Sequence, residues 1–158
     1  MSVVIRFMEH RDKNGVAGLL GEISQFRPFE TAVAEELVED YLASGTGSGY
    51  HIMVAEEDGN ITGYICYGPT PLTESTWDIY WEAVIPACQG SGIGSALINE
   101  AEDNIRSLGG KLALIEPSST PEYEKTRRFY CHHGYQEISR IPDFYAPGDD
   151  RLIYYKKL

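Results

Sequence analysis

The chain reads as an α/β protein with a central mixed, mostly antiparallel sheet and helices on both faces. Three features carry that reading. Apolar residues recur at helical spacing in four stretches, short β-rich runs separate them, and pairs of those runs are joined as hairpins. One glycine-rich turn also leads from a strand straight into a helix, as a parallel crossover does. Helices interleaved with both hairpins and a crossover require a mixed sheet covered on two sides.

Val3 to Phe7 forms the first strand. A helix follows from about Asp12, with Val16, Leu19, Leu20, Ile23 and Phe26 on one side. Pro28 opens a second helix in which Phe29, Val33, Leu37 and Tyr41 recur every four residues, ended by the breakers Gly45-Thr46-Gly47-Ser48-Gly49. His51 to Glu57 and Ile61 to Tyr67, joined by Asp58-Gly59-Asn60, make an antiparallel hairpin. A loop from Gly68 to Ser75 leads into a strand ending at Pro86. The next helix, Ser95 to Leu108, keeps Ile93, Leu97, Ala101 and Ile105 on one stripe and stops at Gly109-Gly110. Lys111 to Glu116 is a strand, and Pro121 to His133 is a helix ended by Gly134. Tyr135 to Pro142 and Leu152 to Lys156 are the last strands, around a turn at Ala146 to Asp150. The order is β-α-α-β-β-β-α-β-α-β-β, without a linker or repeat, so residues 1–158 read as one domain.

Composition narrows the function classes. A formal net charge of −11 argues against a nucleic-acid or anionic-membrane surface and tilts weakly toward a cationic partner, although solubility explains it equally well. Cys66, Cys88 and Cys131 are an odd number without paired spacing, so no disulfide framework is expected and a cytoplasmic location is the simplest. The segment from Met1 to Arg6 has no long apolar core and reads as a strand rather than a signal peptide. Cys131-His132-His133 with His51 invites a metal, but neighbours on a helix point in different directions and no second ligand cluster is present, so no metal is expected. Trp77 and Trp81 alternate on one strand face and read as core. Cys88 lacks a histidine-acid set and does not read as a nucleophile.

The most informative stretch is Gln89-Gly90-Ser91-Gly92-Ile93-Gly94-Ser95, between a strand and a helix. Backbone N–H groups left open at a helix start, with the positive end of its dipole, suit a phosphate or pyrophosphate. A dinucleotide-binding fingerprint fits Gly90 and Gly92 but meets Ser95 at its third glycine, and the chain lacks the successive parallel units of that fold. A P-loop is excluded because no Gly-Lys-Ser/Thr follows.

Gln89-Gly90-Ser91-Gly92-Ile93-Gly94 after Ala83-Val84-Ile85-Pro86 resembles the acetyl-CoA motif of the GNAT N-acetyltransferases. Thr126-Arg127-Arg128-Phe129-Tyr130-Cys131-His132-His133-Gly134-Tyr135 resembles that family's helix–strand junction, and the element order fits from end to end. The resemblance implies a sheet splayed between its fourth and fifth strands, with the pantetheine arm of acetyl-CoA between them. It places Val84 and Ile85 on the pantetheine and thioester, and the N–H groups from Gly90 to Ser95, with Ser91 and Ile93 between, on the pyrophosphate. Gln89 stands where arginine is common, and Thr126 and Phe129 join the cofactor-binding set.

Tyr130 would protonate the leaving thiolate. The base is open among three carboxylates. Asp78 has the spacing to Val84 of histone-type relatives. Glu116 ends a strand as in ribosomal-protein-type relatives, but lies farther from Tyr130. Glu82 is the third. By period-two alternation Asp78, Tyr80, Glu82 and Val84 share one face.

The implied activity is transfer of acetyl from acetyl-CoA, the co-substrate, to a primary amine by direct attack. The acceptor would enter beside the first two helices and the last hairpin. There the loop from Asp143 to Asp150, with Phe144, Tyr145, Asp149 and Asp150, is a hairpin turn or a negative wall to the acceptor site. A small-molecule or protein amine is the partner class, with no nucleic acid and no membrane, and a homodimer is an admissible assembly. The alternative is a non-catalytic acetyl-CoA sensing module of the same fold.

Overall fold

The structure, a computed structural model, describes residues 2–23 and 28–158. Phe26, and the side chain of Phe29, lie outside the described residues. The helices are α1 (Lys13–Glu22), α2 (Pro28–Ser44), α3 (Ile93–Ser107) and α4 (Glu124–His132). The strands are β1 (Val3–Phe7), β2 (His51–Glu57), β3 (Asn60–Pro69), β4 (Thr76–Val84), β5 (Leu112–Ile115), β6 (Gln136–Ala146) and β7 (Asp149–Lys157). They form one sheet in the order β1-β2-β3-β4-β5-β7-β6. Every neighbour is antiparallel except β4 and β5, which α3 joins by a parallel crossover.

Two cores sit on opposite faces of this sheet. Alternation along β2 and β3 sends Met53, Ala55, Ile65 and Tyr67 under α3, where Leu97, Ile98, Ala101 and Ile105 are fully buried. It sends Ile52, Val54, Tyr64 and Cys66 toward Val16, Leu19 and Leu20 of α1 and Ala34 and Val38 of α2. The predicted stripe of α2 is therefore rotated. Val33 is exposed and Ala34 is buried, because a strict four-residue row drifts off the contact face of a 3.6-residue helix.

The last hairpin also differs from expectation: β6 runs on to Ala146, which pairs with Asp149 after an irregularity that begins beyond Ile141, and the turn shrinks to Pro147-Gly148. Helix α4 begins three residues late, after a 3₁₀ turn at Pro121–Tyr123. Glycine 68 lies in β3 where a Cβ would overlap the carbonyl oxygen of Gly49 and come within 3.3 Å of the Tyr80 ring. Because the obstacle is backbone, Gly68→Ala is expected to cost about 1–3 kcal/mol in a urea melt. An unchanged midpoint would mean that this approach is not tight.

Candidate functional site

Strands β4 and β5 pair only from Thr76–Ile79 to Leu112–Ile115, and β4 continues to Val84 without a partner on that side. The sheet thus parts into a V at its centre. On the other side β4 stays on β3, and the Ile85 N–H donates to the Thr62 carbonyl at 2.9 Å. In an antiparallel ladder the groups of alternate residues point to opposite sides, so the N–H groups of Glu82 and Val84 face the gap. Ile85, expected beside Val84 at the site, has already committed its N–H to β3.

The chain next makes a 3₁₀ turn, Pro86–Cys88, and reaches the glycine loop. Gly90 and Gly92 have φ of +83° and +91°, a region that glycine enters freely, and a Cβ on either would meet nothing within 4 Å. Gly92 is the N-cap of α3 and has no side chain to satisfy the first turn. Ala96 donates its N–H to the Gly92 carbonyl, which leaves the N–H groups of Ile93, Gly94 and Ser95 without intrahelical acceptors. Gln89 reaches back instead, donating Nε2–H to the Val84 carbonyl at 3.1 Å, and the Ser91 hydroxyl donates to the Cys88 carbonyl. Open N–H donors at the positive end of a helix make a cradle with the chemistry for a pyrophosphate.

The three carboxylates do not share a face. Between Cys66–Trp81 and Tyr67–Ile79 the β3–β4 register shifts by one, so Tyr80 is the extra residue of a β-bulge. The bulge inverts parity: Trp77 and Ile79 point into the core under α3, whereas Trp81 and Ala83 belong to the core under α1 and α2. The expected single face from Asp78 to Val84, and the shared face of Trp77 and Trp81, are both overturned by this one inserted residue. Asp78 looks toward the α1–α2 side, and Glu82 and Val84 look toward α3 and α4.

Asp78 accepts a hydrogen bond from the Thr70 hydroxyl at 2.8 Å. Burial raises its carboxyl above the usual aspartate value, opposed by that bond and helped by the charge of Glu116. Glu116 is two residues beyond Leu114, the β5 partner of Asp78, and pairs with Arg151 at 2.7 Å. Tyr80 stands edge-on to Tyr50 at 5.5 Å on the bulge, and Phe144 lies 5.3 Å under the Arg151 guanidinium.

On the opposite face, α4 presents Tyr130. This helix ends in a Schellman motif: Gly134, at φ +92°, donates to the Cys131 carbonyl and Tyr135 to the Tyr130 carbonyl, each at 3.0 Å. The rings of Tyr130 and Tyr135 meet edge to face at 5.9 Å, the apolar contact that closes such a cap. The Tyr-x-x-x-Gly-Tyr signature is thus a helix stop that fixes where Tyr130 points. Its hydroxyl lies 3.4 Å from Oε2 of Glu82. Thr126 is one turn earlier on α4, and Phe129 would lie 3.4 Å from a Cβ on Gly94 in the glycine loop.

A family model described as an acetyltransferase (GNAT) domain matches residues 48–137, which run from just before β2 past the Schellman turn. The chain belongs to the GNAT family. An uncharacterized N-acetyltransferase of Methanocaldococcus jannaschii is 33% identical over 110 residues, which cover 66% of this chain and 64% of that relative. A crystal structure of a protein assigned to the GNAT acetyltransferases of Desulfovibrio desulfuricans superposes with a TM-score of 0.95 at 41% identity over 99% of both chains. The Salmonella typhimurium acetyltransferase yncA, solved with its cofactor acetyl-CoA, is 20% identical, with a TM-score of 0.77 over 100% of this chain and 95% of its own. At that identity it shows the shared GNAT fold.

Two GNAT-fold positions escaped the sequence reading. His133, discounted as a metal ligand and given no role of its own, places Nε2 3.0 Å from the Ser95 hydroxyl and lies tilted against Phe129 at 4.5 Å between ring centres, tying α4 to the cradle. Burial holds its imidazole below the ordinary value. Glu102 is 2% exposed, accepts from the Tyr135 hydroxyl at 2.8 Å and from Lys156 Nζ at 2.7 Å, and so anchors the ring behind Tyr130. Its signal was a carboxylate in the apolar row Ile98–Glu102–Ile105. Among the described residues no group of three or more His, Cys, Asp or Glu is arranged to hold a metal, and no helix is long and apolar enough to cross a membrane.

Proposed function

We propose that this chain is an N-acetyltransferase that moves acetyl from acetyl-CoA to a primary amine by direct attack. The observation that carries the reading is the parted pair β4–β5, with an open helix N-terminus and Tyr130 on one face and Asp78 with Glu116 on the other. In this reading the N–H groups of Ile93 to Ser95, with Gly90, Ser91, Gly92 and Gln89 shaping the turn, hold the pyrophosphate. Thr126 and Phe129 flank it. The Val84 N–H takes the pantetheine, and Ile85 serves only as the hinge back to β3. Strand rise puts Asp78 roughly 20 Å from Val84, so the thioester lies between them, beside the gap-facing N–H of Glu82, which can stabilise charge on its oxygen.

Asp78 is the base of this reading and Glu116, held by Arg151, the neighbouring charge that favours an ammonium at the mouth. In this reading Glu82 is not the base, because the bulge turns it to the face opposite Asp78. A base works only when ionised, so the rate falls as pH drops through the Asp78 value, which burial sets above that of an ordinary aspartate. Asp78→Ala is expected to lower kcat about 10²-fold and to abolish that acidic limb. An unaltered profile in both Asp78→Ala and Glu116→Ala would assign proton removal to solvent.

The direct test is release of free CoA across a panel of small amines, polyamines, aminoglycosides and peptide N-termini. Turnover on one class supports the reading and names the acceptor. Acetyl-CoA binding without thiol release on any of them supports a sensing module instead.

A further inference from the structure

Glu82 is an unusual residue to find where it is. Its carboxyl is enclosed by the sheet, α3 and α4, and among the described residues Oε1 has no hydrogen-bond partner. Oε2 meets the Tyr130 hydroxyl, 3.4 Å away. Oε1 also lies 3.3 Å from where a Cβ on Gly94 would sit, so the group is confined between the first turn of α3 and the end of α4. Tyr130 and Tyr135 face it from α4 and its exit, and Glu102 from α3. Lys156 and Arg106 are ion-paired with Glu102. A carboxylate in such a place would be a buried charge without a counter-ion or a full set of donors, which is costly enough that the group takes up a proton instead.

We propose that Glu82 and Tyr130 form a two-residue proton relay, in which the neutral Glu82 carboxyl passes its proton to Tyr130 Oη as Tyr130 passes its own to the departing thiolate. The proposal rests on the acetyl-transfer reading. The balance is simple: the C–S bond of the thioester breaks and the N–C bond of the amide forms. Sulfur gains the phenolic proton, the phenolate oxygen gains the carboxylic one, and Glu82 is left ionised until solvent reprotonates it. Glu82 acts through Tyr130 and is a positioning and proton-supplying residue rather than a base for the amine.

The energetics explain why a lone tyrosine is a poor donor here. Burial pushes the Tyr130 phenol well above its ordinary value. A thiol near 8.5 would then take that proton uphill, at about 1.4 kcal/mol for each tenfold mismatch. Burial raises Glu82 to about 8, close to a thiol, so the relay as a whole is nearly level. The contact is long in the free protein, as such contacts often are before substrate tightens them.

The relay is tested with Glu82→Gln, which keeps shape and removes the ionisable proton. The first measurement needs no substrate. The folded state holds the Glu82 proton between its ordinary 4.5 and about 8, so wild-type stability falls as pH rises through that interval. The melting temperature of Glu82→Gln is expected to gain on wild type from pH 5 to about 8 and then hold a constant lead. A variant that melts below wild type throughout marks Glu82 as an ordinary structural carboxylate and overturns the proposal.

The second measurement is kcat against pH. Wild type should lose activity above about 8, when Glu82 ionises. Glu82→Gln should lose that limb and at least about tenfold in kcat, and adding Tyr130→Phe should then cost far less than it does alone, because the two act as a unit. Retention of the limb, or strictly multiplicative effects, overturns the relay and leaves acetyl transfer intact. Failure of wild type on every amine overturns acetyl transfer and the relay with it.

Discussion

Tyr130→Phe is expected to lower kcat about 10²–10⁴-fold at saturating acetyl-CoA, the range in which a positioned general acid contributes. The substitution keeps the ring, and with it the edge-to-face contact to Tyr135 at 5.9 Å and the packing on Phe129 at 5.2 Å. What it removes is the hydroxyl 3.4 Å from Oε2 of Glu82. A loss confined to the transition state lowers kcat and kcat/KM together and leaves the acetyl-CoA KM unchanged. Steady-state kinetics on the acceptor found by the amine panel, with acetyl-CoA binding measured separately, make the check. Wild-type turnover by the variant would end the assignment of Tyr130 as the acid. A raised KM at unchanged kcat would make the hydroxyl a binding contact instead. A large kcat effect in Tyr130→Phe with none in Glu82→Gln would place the acid on Tyr130 alone, so the two substitutions separate the donor from its supply.

What sequence reasoning could and could not reach follows from the kind of physics each feature uses. The glycine loop is legible because its constraint is local: positive φ at Gly90 and Gly92 and an uncapped first turn are backbone requirements written in residue types. The stop of α4 is legible for the same reason, since Gly134 and Tyr135 are the C′ and C″ residues of a Schellman turn. The row Ile93–Leu97–Ala101–Ile105 is buried as its spacing requires. The bulge at Tyr80 is different. It arises from the fit of β4 against β3, and nothing in residues 76 to 84 taken alone reveals it. Yet it decides which carboxylate meets the acceptor and which meets Tyr130, because one inserted residue moves every later side chain to the other face. Val33 illustrates the same limit in a helix, where a plausible apolar row gives way to Ala34 and Val38 once the sheet fixes the contact line.

Glu102→Ala is expected to cost the most stability of any substitution considered, about 3–5 kcal/mol, as breaking one side of a buried ionic network does. Its carboxylate has two clients that cannot easily be served otherwise. The Tyr135 ring is 2% exposed and its hydroxyl donates to Oε2 at 2.8 Å, while Lys156 Nζ sits 2.7 Å from Oε1 and 5.6 Å from the centre of the Tyr135 ring. Alanine would leave a buried phenol without an acceptor, a cation without its anion and a cavity within the α3 core. The Lys156 side chain retains 21% exposure and can turn partly to solvent, which places the cost toward the lower end. For a domain of this size the melting temperature should fall roughly 6–12 °C, read by calorimetry. Glu102→Gln keeps an acceptor for Tyr135 and should lose less. Glu102→Leu combined with Lys156→Met removes both charges and should recover much of the loss, since an apolar pair can replace a buried ion pair. A single Ala variant within 0.5 kcal/mol of wild type would refute the network as a structural anchor. The consequence reaches the proposed chemistry, because Tyr135 closes the turn that aims Tyr130. A milder variant such as Glu102→Gln should therefore reduce kcat below the temperature at which the fold melts, through a looser Tyr130 rather than through any contact of Glu102 with substrate.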